Sequence, residues 1–163
     1  MTRTAIALLL LLGLAAPAMA NIDKAMEAYN RADFATAHRE FRASAENGEP
    51  RAQYTLGLLY IRGQGVKPDL KEVMKWLRKA AGQGDGEARM MLGDLYRKDI
   101  PMLRNLVKSY MWLTLAAHKV RGKKRDTTFR MRKQVGARMS QAQIDKANQM
   151  ARDWRALAKQ RRK

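Results

Sequence analysis

Apolar residues recur along this chain at helical spacing. Ala52, Leu56, Leu59 and Tyr60 fall at i, i+4, i+7 and i+8, one face of a helix. Leu70, Val73, Met74, Leu77, Ala80 and Ala81 line one face of a second helix. Between them, residues 62–69 lose the pattern. Gly63 and Gly65 permit positive φ, Pro68 resists helix, and Asp69 is placed to cap the helix that follows. Gly82 and Gly84 end that helix. The unit is a pair of antiparallel helices.

The unit recurs 36 positions later. Ala52 pairs with Ala88, Leu56-Gly57 with Leu92-Gly93, and Leu59-Tyr60 with Leu95-Tyr96. Leu70 pairs with Leu106, Trp76-Leu77 with Trp112-Leu113, and Ala80-Ala81 with Ala116-Ala117. These are 10 identities in 36 positions without a gap, nearly all apolar or small. A partial copy precedes residue 49, where Asp33, Arg42, Ala45 and Gly48 match Asp69, Arg78, Ala81 and Gly84. A repeated unit that cannot bury both its faces alone must stack on its neighbours. The expected fold is all-α, a short α-solenoid of antiparallel helix pairs. Small residues give close backbone approach and aromatics fill the gaps between pairs.

The run Ala52-x-x-x-Leu56-Gly57-x-x-Tyr60-x-x-Gly63-x-Gly65-Val66-x-x-Asp69, followed by Trp76-x-x-x-Ala80-Ala81-x-x-Gly84, closely resembles the Sel-1-like repeat, a relative of the tetratricopeptide repeats. The likeness is full over about 49–84 and holds in the helices of 85–120. It weakens where Asp99, Ile100, Pro101 and Met102 replace Gly63 to Val66. It implies an exported α-solenoid over 21–120 that binds proteins or envelope components through its concave face, and the favoured reading is a non-enzymatic repeat adaptor for a protein or peptide partner.

Two more helices are expected in the basic segment 121–163. One spans about Asp126–Arg138 with Asp126 as its cap. The other opens on the capping box Ser140-Gln141-Ala142-Gln143. In the second, Ile144, Ala147, Ala151, Trp154 and Ala158 form an apolar stripe. Such a stripe on a basic helix suits either a membrane surface or, the favoured reading, a cap burying Trp154 and Ile144 on the last repeat.

Residues 1–20 read as an export signal. Arg3 precedes an apolar run from Ala5 to Ala16, and Ala18-Met19-Ala20 offers a cleavage site after Ala20. Twelve residues of helix reach only about 18 Å, short of a ~30 Å hydrocarbon core. A periplasmic or secreted product is expected, with no transmembrane segment in the mature chain and no intracellular nucleic acid as partner.

Charge sharpens that picture. The chain carries 33 Lys and Arg against 15 Asp and Glu. Residues 21–96 hold 12 cations and 11 acids, whereas residues 97–163 hold 20 cations and four acids. The densest part is Lys119, Arg121, Lys123, Lys124, Arg125, Arg130, Arg132, Lys133 and Arg138, with Asp126 the lone acid among them. Such a cluster serves as a solvated surface or as an anion-binding patch, to which guanidinium groups bring bidentate recognition of phosphate and carboxylate. Its partner would be an acidic protein or an anionic envelope component such as lipopolysaccharide or phospholipid. The tail from Lys159 to Lys163 would add reach. Only Phe129 interleaves the cluster, so base stacking is weakly supported.

Little else suggests chemistry. The absence of Cys excludes disulfides and thiolate metal sites. No serine sits in a G-x-S-x-G or S-x-x-K pattern. Ser140 reads as a helix cap, His118 as a helix C-terminal residue whose imidazole meets the last carbonyls, and His38 as a partly exposed side chain. Asp145 and Asp153 are expected in helix-surface ion pairs. Neither a metal nor a cofactor is expected, and a cell-wall-active enzyme is the least favoured reading.

Overall fold

The computed structural model describes residues 22–101 and 103–160. The expected export signal, Met102 and the end of the tail, 161–163, lie outside them. Eight helices follow in order: α1 (Ile22–Asn30), α2 (Phe34–Glu46), α3 (Pro50–Arg62), α4 (Leu70–Gly82), α5 (Gly86–Arg97), α6 (Leu106–Ala117), α7 (Gly122–Gly136) and α8 (Gln141–Gln160). The described residues contain no strand. The fold is an all-α solenoid: α1–α2, α3–α4 and α5–α6 form pairs, and α2–α3 and α4–α5 join each pair to the next.

Local chemistry sets the ends of these helices. The Asp69 carboxylate accepts from the backbone N–H of Lys71 at 2.8 Å and of Glu72 at 3.2 Å. Asp33, Asp85 and Asn105 cap α2, α5 and α6 in the same way. Gly63 closes α3 in the left-handed region at φ 65°. Gly65, at φ 71°, passes so close to α2 that a Cβ there would lie 2.0 Å from the Phe34 carbonyl oxygen. The second repeat lacks these glycines and ends α5 without a left-handed residue, at Lys98.

Equivalent residues make equivalent contacts. A Cβ on Gly57 would meet Leu77 at 3.0 Å, and one on Gly93 would meet Leu113 at 2.6 Å. Each glycine therefore lets the second helix of its own pair lie against the first. The joint between pairs recurs as well: Gln53 Nε2 donates to the Ala45 carbonyl and Arg89 Nε to the Ala81 carbonyl, both at 3.1 Å. Phe41, Leu56, Leu59, Leu77, Leu92 and Leu113 are fully buried. Each contributes roughly 1.5–3 kcal/mol of hydrophobic stabilisation.

One difference between the copies explains where α8 goes. Lys75 and Lys79 lie over the Trp76 ring at 4.9 and 4.7 Å, and the indole N–H donates to Glu72 at 2.9 Å. The corresponding residues 36 positions later are Met111, Leu115 and Lys108. Removing two cations makes the outer face of α6 apolar, and that face needs a cover. Helix α8 supplies it: Ala147 and Ala151 are buried in the same core as Met111 and Leu115, and Trp154 meets Trp112 edge-to-face with centroids 4.9 Å apart. Helix α8 thus packs back on α6 instead of pairing with α7. The C-terminal helix is a cap, as its apolar stripe suggests, with Trp154 and Ile144 half-buried rather than fully enclosed.

Candidate binding surfaces

The first helices of successive pairs, with α7 continuing their order, line a groove of about 410 Å³. Met26 and Tyr29 come from α1, Tyr54 and Leu58 from α3, Asp85 and Glu87 from the start of α5, and Lys124 from α7. Glu87 ties the last two together through an ion pair to Lys124 Nζ at 2.5 Å. Burial, and then the Glu87 carboxylate, push the Tyr54 hydroxyl well above its usual range, so it stays protonated and able to donate. Burial also raises the Asp85 carboxyl, although its cap bond to the Ala88 N–H at 2.7 Å works the other way. Aromatic rings with a few fixed charges suit an extended or helical segment of another protein.

Helix α7 divides the basic cluster by periodicity. Thr128, Met131 and Val135 are buried against α6, and the Thr128 hydroxyl donates to the Lys124 carbonyl at 2.7 Å. Beside this buried face runs a more exposed one, the outer stripe of α7: Arg125, Phe129, Arg132, Lys133 and Gly136. Lys119 and Arg121 stand in the turn before α7, and Arg138 in the turn after it. All nine cations are exposed except Arg132, which is half-buried. They do not form one patch. Lys124 turns to the groove, whereas Arg130, Arg132 and Lys133 border a separate hollow of about 460 Å³ with Tyr110, Phe129 and Gly136. The guanidinium of Arg132 lies 5.0 Å from the Phe129 ring centre and 5.9 Å from that of Tyr110; Arg125 lies 5.6 Å from Phe129 on the preceding turn.

Sequence reasoning passed over the centre of this hollow. It weighed Phe129 as a lone stacking ring, although the spacing 125–129–132–136 already put arginines one turn to either side. Tyr110 comes from another helix, and Gly136 leaves room for its ring, since a Cβ there would meet Tyr110 at 3.1 Å. Nothing in local spacing announces that contact.

A third surface is a largely apolar cleft of about 420 Å³ where α8 crosses α6. Met111 and Trp112 face Met150, Trp154 and Leu157 across it, with Arg78, Lys108 and Asp153 at its edge.

Several single-residue expectations are corrected. Helix α7 starts at Gly122, and Asp126 lies inside it; Arg121 holds the cap position with no side-chain bond. The ion pair from Lys124 to Glu87 brings that first turn onto α5, so helix begins one turn earlier than a lone acid suggests. Asp145 and Asp153 accept from the side-chain amides of Gln141 at 2.9 Å and Gln149 at 2.8 Å, in place of the ion pairs expected. A glutamine four residues earlier shares their helix face, and Arg152 is turned to the same Gln149. His118 ends α6, but its backbone N–H makes the bond, to the Ala116 carbonyl, while the ring is exposed. Its pKa is lowered by desolvation and then by Arg155, Arg132 and Arg125.

The serines hold the backbone together. Ser44 donates to the Glu40 carbonyl at 3.1 Å and Ser109 to the Gly93 carbonyl at 2.7 Å. Ser140 and Gln143 cap each other's N–H groups. Among the described residues no three His, Asp or Glu side chains gather as a metal would need, and no helix is long and apolar enough to cross a membrane.

A stack of small-residue helix pairs with an open groove defines a repeat protein of the α-solenoid class. The model of the Sel1 repeat matches residues 50–85 and 86–119, so the chain carries two Sel1 repeats. A crystal structure of c5321, a protective antigen of uropathogenic Escherichia coli strains with an SLR fold, superposes with a TM-score of 0.72 at 24% identity, over 82% of this chain and 28% of that one. A Sel1 repeat protein from Oxalobacter formigenes superposes with a TM-score of 0.61 at 26% identity, over 80% of this chain and 54% of that one. In sequence, the uncharacterized protein NMB1327 of Neisseria meningitidis serogroup B is 49% identical over 51 residues, 31% of this chain and 11% of that protein. The chain thus spans about a tenth of this curated relative and at most about half of either solved structure. Sel1 repeats are protein-interaction modules.

Proposed function

We propose that this protein is a non-catalytic adaptor that holds a segment of a protein partner in the groove of α1, α3, α5 and α7. The carrying observation is that groove: Tyr29, Tyr54 and Leu58 offer partly buried apolar surface, flanked by the Glu87–Lys124 pair and Asp85. Ordered aromatics of this kind concentrate binding energy at protein interfaces. The export signal read in residues 1–20 supports a periplasmic or secreted site of action. The outer stripe of α7 is the part of the basic half that meets an anionic surface there.

The test is a crosslinked pull-down from the native envelope fraction, washed at low and high salt, with the wild type beside a Tyr54→Ala/Leu58→Ala double variant. The groove reading predicts that the variant loses its partners while its circular dichroism is retained. Partners retained by a folded variant would refute it.

A further inference from the structure

We infer that the hollow between α6 and α7 binds the phosphate of an anionic membrane lipid, with Phe129 set against the apolar edge of the headgroup region. This rests on the reading that the outer stripe of α7 meets an anionic surface, and it names that surface.

Arginine pays rotamer entropy when it is immobilised on a ligand. Here that cost is largely met in the free protein, because Arg132 rests on both Phe129 and Tyr110 and Arg125 rests on Phe129. Stacking occupies the guanidinium faces and leaves the N–H edges, which are the part that engages phosphate bidentately. Among the described residues, Arg125, Arg132 and Lys133 make no ion pair with a carboxylate. Lys124, only one residue from Arg125, does. Asp126 is the one acid on α7, against Lys123, Lys124, Arg125, Arg130, Arg132 and Lys133. The hollow, about 460 Å³, has the size of a headgroup site.

Phe129 decides between a lipid and an acidic protein. Among the described residues it is one of four large apolar side chains left exposed, at 37%, and it stands in the middle of the arginines. A ring surrounded by cations is poorly matched to an acidic peptide, whose own charges it would desolvate. It is well matched to a bilayer interface, where phosphates and acyl-chain edges lie side by side.

Co-sedimentation of residues 21–163, which contain every helix and the whole core described above, tests this. The probes are pure phosphatidylcholine vesicles, mixed phosphatidylcholine–phosphatidylglycerol vesicles, free inorganic phosphate and a polyglutamate peptide. The expected result is salt-sensitive binding to the mixed vesicles alone. Arg125→Gln/Arg132→Gln should weaken it about 30-fold, at about fivefold per cation near an anionic surface. Phe129→Ser should weaken it about fivefold. A control pair with the same charge change, Lys67→Gln/Lys71→Gln, should stay within about twofold, because a site and not net charge is being read.

Equal loss in the control pair would overturn the site, since diffuse charge then suffices. Unchanged binding by a folded Phe129→Ser, tighter binding to polyglutamate, or binding to free phosphate without vesicle binding would each overturn the lipid assignment. All of these leave the groove result untouched, so the two readings fail separately.

Discussion

A single methyl group at Gly93 tests how closely the paired helices approach. An alanine Cβ there would stand 2.6 Å from Leu113 Cγ, 2.7 Å from its Cδ2 and 3.3 Å from its backbone nitrogen. Carbon atoms rest at about 3.5–4.0 Å, so the overlap approaches an ångström. Leu113 is fully buried and has nowhere to turn. Overpacking of this kind costs about 1–3 kcal/mol, and the gain from replacing glycine inside a helix is about 1 kcal/mol. Because the overlap is severe and part of it is with backbone, the net for Gly93→Ala is a loss of about 1–2 kcal/mol, or roughly 3–8 °C in Tm for a chain of this size. Gly57 supplies an internal control. Its Cβ would be crowded only by the side chain of Leu77, at 3.0 and 3.1 Å, with the Val73 carbonyl at an ordinary 3.8 Å, so Leu77 need shift by only a few tenths of an ångström. Gly57→Ala should come out within about 0.5 kcal/mol of wild type. Urea denaturation of both variants, followed by circular dichroism at constant m-value, is the assay. A Gly93→Ala protein as stable as wild type, or more stable than Gly57→Ala, would refute the close packing of α5 on α6.

Helix pairs and their register were readable because they depend on local spacing and on exact recurrence. Gly57 and Gly93 report the same contact twice, against Leu77 and Leu113, and Ala80-Ala81 and Ala116-Ala117 are buried alike, whereas Trp76 and Trp112 share burial but not neighbours. The cap was readable in part. Ser140 and Gln143 announce the start of α8, and its stripe announces an apolar face. Which helix it covers depends on Lys75 and Lys79 becoming Met111 and Leu115, a difference visible only when the copies are compared residue by residue. The hollow was out of reach. Nine cations within 20 residues predict charge, but their division between Lys124 in the groove and Arg132 on Phe129 follows from α7 docking on α6 through Thr128, Met131 and Val135. The particular residues of the groove were out of reach for the same reason: Tyr54, Glu87 and Lys124 are distant in sequence and meet only through the stacking.

Other consequences are open to measurement. Trp154→Ala removes a half-buried ring from Trp112 and should cost about 2 kcal/mol, seen as faster hydrogen exchange across α8 with α1–α4 unchanged. Asp69→Ala removes a carboxylate that accepts two backbone N–H groups of α4 and should cost about 1 kcal/mol in urea denaturation. His38 is held below its ordinary value of 6.5, first by burial and then by Arg42. Below that pH the unfolded chain takes up the proton before the folded one, so stability falls as pH drops through 6.5. His38→Phe should flatten that decline; an unaltered pH profile would contradict it.

The most direct test of the stacked pairs is one nuclear Overhauser spectrum of residues 21–163. Contacts from the Gly57 and Gly93 α-protons to the methyls of Leu77 and Leu113, together with a cross-peak between the Trp112 and Trp154 indoles, are the expected result. Gly93 protons that see no Leu113 methyl, with Trp154 magnetically isolated from Trp112, would contradict both the repeated packing and the cap.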